Sequence, residues 1–196
     1  LTLRLFMKCC EAHDFTAGLA MQAYLRSGDE DAQRIIDWSK ATGRQVTVRL
    51  VKGAYWDEET IKAEMEGWPI PVWSRKSDTD ACFERMAGAF LRQTPRSGDE
   101  GGVKLAIGSH NLRSIACCLG IAEQEDLPAE SMEFQMLYGM ADAMKDVMTE
   151  RKYRVREYVP VGEMIPGMAY LVRRLLENTS NESWLRGSQK DEIDAT

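Results

Sequence analysis

Residues 46–56 read VTVRLVKGAYW, and this stretch shows how the chain is built. Its side chains fall into two alternating sets: Val46, Val48 and Leu50 on one side, and Thr47, Arg49 and Val51 on the other. A period of two is typical of a β-strand with one buried face. An arginine in such a strand is costly to bury unless an anion or a carboxylate meets it. Either this is an edge strand with Arg49 in water, or Arg49 faces a ligand.

Working outward from this strand, extended apolar segments alternate with helical patterns. We predict strands at residues 20–24, 45–53, 103–109, 132–137 and 153–159. We predict helices at residues 29–42, 58–66, 78–93, 111–125 and 140–150. Such alternation favours parallel strands joined by right-handed crossovers. Five strands fit either an open doubly wound sheet or part of a (βα)8 barrel, whose sites lie at the carboxyl ends of the strands.

The composition excludes several classes of protein. The chain has 196 residues and a formal net charge of −6 with no basic block, so nucleic acid is not an expected partner. No apolar run approaches the roughly 18 residues of a membrane span. The five cysteines include no CxxC, and the two histidines are far apart, so we expect no metal site and reduced thiols in a cytoplasmic protein. The opening LTLRLFMKCC has no initiator methionine and is typical of a helix interior, so we expect a fragment.

A second informative stretch covers residues 158–186, YVPVGEMIPGMAYLVRRLLENTSNESWLR. A turn rich in proline and glycine precedes a helix that we predict over residues 168–178. Helical spacing puts four polar side chains on one stripe: Tyr170, Arg173, Arg174 and Glu177. Two neighbouring guanidinium groups could clamp a carboxylate or a phosphate. The alternative is an amphipathic helix with a solvated polar face.

Several strings together resemble the flavin-dependent proline dehydrogenases, which occur as single enzymes and as the first catalytic domain of bifunctional bacterial proline-utilisation proteins. The strings are GLAMQAY, RLVKGAYW, SRKSDTD, IGSHN, EFQMLYGM, YVPVG and AYLVRRLLEN. The resemblance covers residues 18–186. It implies an α/β fold of the (βα)8 barrel type, with residues 1–186 forming about the last five βα units. Residues 187–196 would be a polar tail or linker.

The resemblance implies a proline site. Arg173 and Arg174 would bind the carboxylate of the substrate, and Glu177 would hold one of them in orientation. The residues expected to surround the proline ring are Tyr55, Leu137, Tyr158 and Tyr170. By pattern alone, plain core packing explains Leu137 equally well.

The resemblance also implies FAD as the cofactor. Arg49 would lie near the reactive edge of the isoalloxazine, and the amide of Gln135 would bind its ring. The other residues expected around the ring are Gln22, Val51, Lys52, Gly53, Ala54, Trp56, His110 and Asn111. Considered without the resemblance, a lone glutamine or histidine at a strand end is more often structural.

The flavin phosphate and ribitol would lie against residues 72–80, VWSRKSDTD. The resemblance assigns Ser74, Lys76 and Thr79 to this part of the cofactor. The alternative is ordinary helix capping, which uses the same residue types. Ser74 and Ser109 stand where the family commonly has threonine, and both keep the hydroxyl.

The implied activity is oxidation of L-proline to Δ1-pyrroline-5-carboxylate, a step of proline catabolism towards glutamate, with electrons passed to a quinone. Expected partners are L-proline, the quinone and a fused or separate pyrroline-5-carboxylate dehydrogenase. The expected location is cytoplasmic, with peripheral contact at the inner membrane as an option. Two alternatives stay open. Only five strands are predicted, and an upstream lysine and aspartate of the family have no counterpart, so the chain could be a truncated, non-catalytic fragment. It could also be a barrel enzyme that uses its arginine pair for a phosphate ester.

Overall fold

The fold of the chain comes from a computed structural model that describes residues 2–163, 165, 167–168 and 171–172. The strands are β1 (Gly18–Gln22), β2 (Gln45–Val51), β3 (Gly102–Gly108), β4 (Met132–Leu137) and β5 (Arg154–Tyr158). The helices are α1 (Thr2–Ala12), α2 (Gly28–Thr42), α3 (Trp56–Glu66), α4 (Lys76–Leu91), α5 (Leu112–Gln124) and α6 (Asp142–Glu150). A single 3-10 turn, Ala129–Ser131, precedes β4.

The five strands form one parallel sheet in the order β1-β2-β3-β4-β5. Each strand therefore pairs with the next strand along the chain, and helices make the crossovers. A doubly wound sheet reverses its strand order at a switch point, and this sheet does not. The sequential order belongs to the barrel type, as expected, and the described residues contain five of the eight strands of such a barrel.

One face of the sheet forms the hydrophobic core. Alternate positions of the three central strands point to this face and are fully buried, among them Val48, Leu50, Leu105, Ile107 and Phe134. They pack with the apolar sides of α2, α4 and α5, which supply Ile35, Phe83, Phe90 and Ile115. Because of the period-two alternation, the apolar side chains of the strands lie on one side of the sheet, and the helices pack against that side.

The opposite face, here called the open face, carries polar side chains at the positions in between. These are Thr47, Arg49, Lys104, Glu133, Gln135, Arg154 and Arg156, which are half-buried or exposed. β2 lies between β1 and β3. The edge-strand explanation of Arg49 is therefore wrong, and its side chain is half-buried on this face.

The five strands and five helices predicted over residues 20–159 all occur, with small differences at their ends. β1 begins two residues earlier than predicted because pairing with β2 already starts at Ala17, whose carbonyl accepts a hydrogen bond from the amide of Thr47 at 3.1 Å. The chain leaves β1 after Gln22 in a turn. Most of the helix predicted over residues 168–178, and the tail 187–196, lie outside the described residues.

Candidate cofactor and substrate site

The carboxyl ends of the parallel strands meet at one edge of the sheet, and most of the predicted site residues lie there. Tyr24 follows β1, Lys52 and Gly53 follow β2, and His110 follows β3. β4 ends at Leu137 and β5 ends at Tyr158. Neighbouring strands are about 4.8 Å apart, so residues at consecutive strand ends come within reach of one ligand.

Arg49 is held on the open face by two partners from distant parts of the chain. Its Nε donates to Oε1 of Gln135 at 2.7 Å. Its guanidinium carbon lies 5.1 Å from the centre of the Tyr158 ring, a cation–π contact. The arginine on β2 thus joins β4 and β5, and three residues that the sequence assigns to the site form one cluster.

Small residues on β3 leave room for the side chain of Arg49 to reach over that strand to β4. Ala106 is in register with Arg49, and Gly108 is in register with Val51. A Cβ atom on Gly108 would lie 2.8 Å from Cγ1 of Val51 and 3.4 Å from Nη2 of Arg49. A larger residue at position 108 would therefore push against the guanidinium.

His110 and Asn111 have local structural roles at the end of β3. The backbone N–H of Leu137 donates to Nε2 of His110 at 3.1 Å. This nitrogen can accept only if the imidazole is neutral with its proton on Nδ1. Oδ1 of Asn111 caps α5 by accepting from the backbone N–H of Ser114 at 3.0 Å and from its hydroxyl at 3.1 Å.

A cavity of about 400 Å³ lies beyond the ends of β1 and β2, and is here called the α4 cavity. It is lined by Tyr24, Lys52, Gly53, Trp56, Asp57, Trp73, Ser74, Lys76, Thr79 and Asp80. Six of these ten residues were assigned to the cofactor from the sequence. The structure thus brings together the strings RLVKGAYW and SRKSDTD, which are separated by 17 residues in the chain.

A short antiparallel pairing positions the segment that precedes α4. Leu25 and Val72 form an isolated bridge. The backbone N–H of Trp73 donates to the carbonyl of Tyr24 at 2.8 Å. The indole N–H of Trp56 donates to the carbonyl of Trp73 at 2.7 Å. These bonds hold the wall of the cavity against the end of β1 and the start of α3.

The charges in the α4 cavity come from two lysines, Lys52 and Lys76, and two aspartates, Asp57 and Asp80. Lys52 is 4% exposed, forms an ion pair with Asp80 and lies 5.8 Å from the centre of the Phe83 ring. Partial burial lowers the pKa of Lys76, and the charge of Lys52 lowers it further, while Asp80 opposes the shift. The N-terminus of α4, which is the positive end of its dipole, lies at Lys76, so this part of the cavity suits an anionic group.

The helix-capping alternative for residues 72–80 does not describe this end of α4. Arg75 is the N-cap residue and its side chain makes no capping hydrogen bond. Its guanidinium instead binds the carboxylate of Asp78 through two contacts of 3.0 and 2.9 Å. This pair holds the pKa of Asp78 below its usual value and that of Arg75 above it.

Tyr24 is a cavity residue that the sequence reasoning did not select. It is 2% exposed, and its buried hydroxyl makes no hydrogen bond with any described residue. Burial, together with the nearby carboxylates of Glu59 and Glu58, raises its pKa to about 12, while Gln22 acts slightly in the opposite direction. The string QAY was available as a signal, but only its glutamine was chosen.

The ring of Tyr24 also explains why residue 53 is a glycine. Gly53 has a φ of 128°, and a Cβ atom there would lie 2.5 Å from Cγ of Tyr24. The glycine is therefore required by a neighbouring side chain as well as by its own backbone conformation. The sequence suggested only close approach of a planar ligand.

The remaining predicted residues are more dispersed. Gln22 lines a second cavity of about 440 Å³ between α1, β1 and α2. Tyr55 is 41% exposed and immediately precedes α3, and Ala54 beside it is half-buried. The proposed carboxylate clamp lies outside the described residues, as do the other two members of its stripe: Tyr170, Arg173, Arg174 and Glu177.

A metal centre and a membrane-spanning helix are two features without a candidate in the described part of the chain. No group of three or more histidine, cysteine, aspartate or glutamate side chains in that part could hold a metal ion. Of the helices described there, none combines the length and the apolar character needed to cross a bilayer.

Comparison with protein families identifies one family. A profile described as proline dehydrogenase matches residues 1–187. The "Bifunctional protein PutA" of Rhizobium meliloti is 36% identical over 172 residues, which are 86% of this chain and 13% of that protein. "Proline dehydrogenase 1, mitochondrial" of Arabidopsis thaliana is 32% identical over 81% of this chain and 32% of that protein.

Solved structures give the same result. Proline utilization A from Bdellovibrio bacteriovorus, inactivated by N-propargylglycine, aligns with a TM-score of 0.83 and 48% identity. The alignment covers 97% of this chain and 20% of that protein. The chain therefore spans between an eighth and a third of the proteins compared here.

Proposed function

Because the chain belongs to the proline dehydrogenase family, we propose that it forms the cofactor- and substrate-binding part of an enzyme that oxidises L-proline to Δ1-pyrroline-5-carboxylate. The family is generally flavin-dependent. The proposal adds that the flavin is FAD and that its electrons pass to a quinone. It also includes the partners and the location expected from the sequence: a fused or separate pyrroline-5-carboxylate dehydrogenase, and a cytoplasmic enzyme with peripheral membrane contact.

The residues of the α4 cavity suit the phosphate end of FAD. Ser74 and Thr79 offer hydroxyls, and Lys76 offers a charge at the N-terminus of α4. Tyr24 also lines this cavity, and its ring packs against Gly53.

The open face at the strand ends suits the isoalloxazine. Arg49 and Gln135 lie there as a hydrogen-bonded pair, and Trp56 lines the adjoining cavity. The backbone of residues 51–54 follows directly, so a planar ring would lie against it as well as against Gln22, His110 and Asn111. When bound, the flavin supplies the acceptor for the hydride removed from proline. The charge of Arg49 would favour the reduced, anionic cofactor.

The proline site would adjoin this ring. Arg173 and Arg174 would bind the carboxylate by paired, charge-assisted hydrogen bonds, and Glu177 would hold one of them in orientation. The ring of proline is enclosed by Tyr55, Leu137, Tyr158 and Tyr170. These side chains exclude water and hold the ring carbon next to nitrogen towards the hydride acceptor.

A single observation carries this proposal. Arg49, a cation in the middle of an apolar strand, is held at the carboxyl end of the sheet by Gln135 and Tyr158, beside a cavity that suits phosphate. Each of these residues comes from a different string of the family resemblance. Their convergence at one edge of the sheet supports a shared role in the site.

The first experiment measures flavin uptake and its response to proline. The purified chain is incubated with FAD, freed of unbound cofactor and examined by visible absorption. We expect a yellow protein whose flavin absorbance is lost when L-proline is added without oxygen. A colourless protein would favour the non-catalytic fragment. A yellow protein whose flavin absorbance does not change when L-proline is added would refute the oxidation of proline by this chain.

Matched lysine variants test the α4 cavity. Lys76→Met removes a donor from the cavity, and we expect FAD to bind at least about tenfold more weakly. The control is Lys62→Met, which removes an exposed lysine from α3 outside the cavity. Equal FAD affinity in the two variants would remove the phosphate assignment.

Arginine variants test the carboxylate clamp. In the flavin-loaded protein, Arg173→Lys and Arg174→Lys should each raise the KM for proline sharply, because lysine cannot reproduce the two-pronged contact of arginine. Arg85→Lys on α4 serves as the control, since Arg85 pairs with Asp29 on the helical layer. An unchanged KM in both clamp variants would refute the clamp.

A further inference from the structure

Glu133 and Arg156 form an ion pair on the open face that no role assigned so far explains. Nε of Arg156 lies 2.9 Å from Oε1 of Glu133, and Nη2 of Arg156 donates to Oε2 at 2.9 Å. The two contacts make a two-pronged pair, the strong geometry for these groups. The side chain of Glu133 is 14% exposed and that of Arg156 is 60% exposed, so the arginine covers the carboxylate from the solvent side.

The same carboxylate also binds the side chain of Gln135. Nε2 of Gln135 donates to Oε1 of Glu133 at 2.6 Å. Residues 133 and 135 are two apart on β4, so both side chains project from the same face of the sheet. A chain of contacts therefore runs from Arg156 through Glu133 and Gln135 to Arg49.

The chemistry of the end groups decides which way the central amide faces. A guanidinium can only donate hydrogen bonds, and an ionised carboxylate can only accept them. The amide of Gln135 must therefore turn its nitrogen to Glu133 and its oxygen to Arg49. With the amide reversed, its oxygen would face the carboxylate and its NH2 would face the guanidinium, so both contacts would become repulsive.

We propose that Glu133, held by Arg156, is a positioning residue that orients the amide of Gln135 and, through it, the guanidinium of Arg49. Glu133 needs no contact with cofactor or substrate for this role. Its effect on the flavin rests on the proposed function, in which Arg49 and Gln135 meet the isoalloxazine. Its effect on the amide does not, and can be measured without a flavin.

Two variants of Glu133 separate orientation from charge. Glu133→Gln removes the charge and leaves a group that either donates or accepts, so position 133 no longer dictates the direction of the Gln135 amide. Glu133→Asp keeps the charge but is one methylene shorter, which breaks the 2.6 Å contact. If Glu133 acts by positioning the amide of Gln135, both variants should behave differently from the parent. If it acts only through its charge, only Glu133→Gln should do so.

Glu84→Gln is a matched control. Glu84 forms a two-pronged pair with Arg113 at 3.0 and 3.3 Å. The exposures of Glu84 and Arg113, 20% and 63%, are close to those of the Glu133 pair. The control pair joins α4 and α5 in the helical layer, so it tests what the loss of a comparable ion pair does to stability alone.

The first measurement uses the full chain without flavin. The side-chain NH2 signal of Gln135 is followed by ¹⁵N NMR, and it is assigned by its loss in Gln135→Leu. We expect its protons to exchange with solvent at least about tenfold faster in both Glu133 variants, because the hydrogen bond that protects them is lost. The signal should be unchanged in Glu84→Gln. An unchanged signal in both Glu133 variants overturns the proposal.

The second measurement uses the FAD-loaded chain. The ratio of oxidised to reduced flavin is compared with a reference dye at equilibrium. We expect it to change about tenfold in both Glu133 variants and not in Glu84→Gln. A change in the NH2 signal with an unchanged flavin ratio would leave Glu133 a purely structural residue and overturn its positioning role. If the parent chain binds no FAD, the proposed function fails, and the NMR result still decides whether Glu133 orients the amide.

Discussion

The two faces of the parallel sheet have the same backbone but different tasks. The face towards α2, α4 and α5 is a continuous apolar surface whose central residues are fully buried. The open face alternates with it residue by residue and carries arginine, glutamate, glutamine and lysine at partial exposure. Strand periodicity makes this division possible, because neighbours in sequence always belong to opposite faces.

The apolar face supplies most of the stability, and the open face supplies the polar groups of the candidate site. Burial of an apolar side chain contributes roughly 1.5–3 kcal/mol, so the helical side supplies most of the folding free energy. Polar groups on the open face must find partners on neighbouring strands, and they do so in the chain of contacts from Arg156 to Arg49. Such groups specify geometry more than they add stability. Substitutions on the two faces should therefore differ in their effect on the free energy of unfolding.

The largest effect should come from truncating a side chain on the apolar face. Phe134 on β4 is fully buried and packs edge-on against Tyr153 at 5.5 Å between ring centres. Phe134→Ala should lower the free energy of unfolding by about 3–5 kcal/mol, through lost burial and the cavity left behind. Urea unfolding followed by circular dichroism measures it. A loss below about 1 kcal/mol would show that the helical layer is not the stabilising side.

The second-largest loss of stability should come from Gly53, which follows the carboxyl end of β2. Gly53→Ala meets the ring of Tyr24 at 2.5 Å and also adds a side chain at a φ of 128°. We expect a loss of about 2–4 kcal/mol from strain and displacement of the ring. Gly67→Ala is the control: its φ is 65° and no atom lies within 4 Å of the added Cβ, so about 1 kcal/mol is expected. Equal losses in the two variants would show that the Tyr24 ring moves without cost.

A smaller effect should appear only at alkaline pH. The pKa of Tyr24 rises from a usual value of 10.0 to about 12 in the folded chain. The folded state therefore keeps a proton that the unfolded state loses, so the stability contributed by this group is complete below pH 10 and is lost as the pH rises towards 12. Phenylalanine has no hydroxyl to ionise, so Tyr24→Phe should not show this loss of stability at alkaline pH.

The measurement is the difference in unfolding free energy between the parent and Tyr24→Phe at pH 8 and at pH 11. We expect the variant to gain relative to the parent at the higher pH. At pH 8 it should be at least as stable as the parent, because the hydroxyl makes no hydrogen bond with a described residue. The same difference at both pH values would contradict the raised pKa.

The smallest effect is expected on the open face. Lys104 on β3 is exposed and lies in register with Thr47. Lys104→Ala should change the free energy of unfolding by no more than about 0.5 kcal/mol, as is usual for exposed positions. Urea unfolding of Lys104→Ala and of Phe134→Ala under the same conditions compares the free energies that the two faces contribute. A loss comparable to that of Phe134→Ala would abolish the distinction.

Much of the fold was predictable because it depends on local pattern. All five strands and the helices between them follow from alternation and helical spacing, and their ends differ from the prediction by a few residues. Residues of the strings RLVKGAYW and SRKSDTD line the α4 cavity together, and six of them were named from the sequence. Their roles towards FAD and proline remain predictions.

Other features could not be predicted because they join residues that are distant in sequence. Nothing local indicates that Arg49 bonds to Gln135, which is 86 residues away. Nothing local indicates that Gly53 is required by the ring of Tyr24. Glu133 was likewise quoted within a string and given no role, because the pairing with Arg156 depends on the register between β4 and β5.

The amino-acid sequence by itself determined the family, the parallel α/β class and which side of each strand is apolar, since all three are written in residue types and their spacing. Only the tertiary structure decided which polar residues meet on the open face and in which direction the amide of Gln135 points. The physical reason is that a hydrogen bond needs two atoms within about 3 Å. That distance is set by strand register and by the small residues between the partners, not by either residue alone.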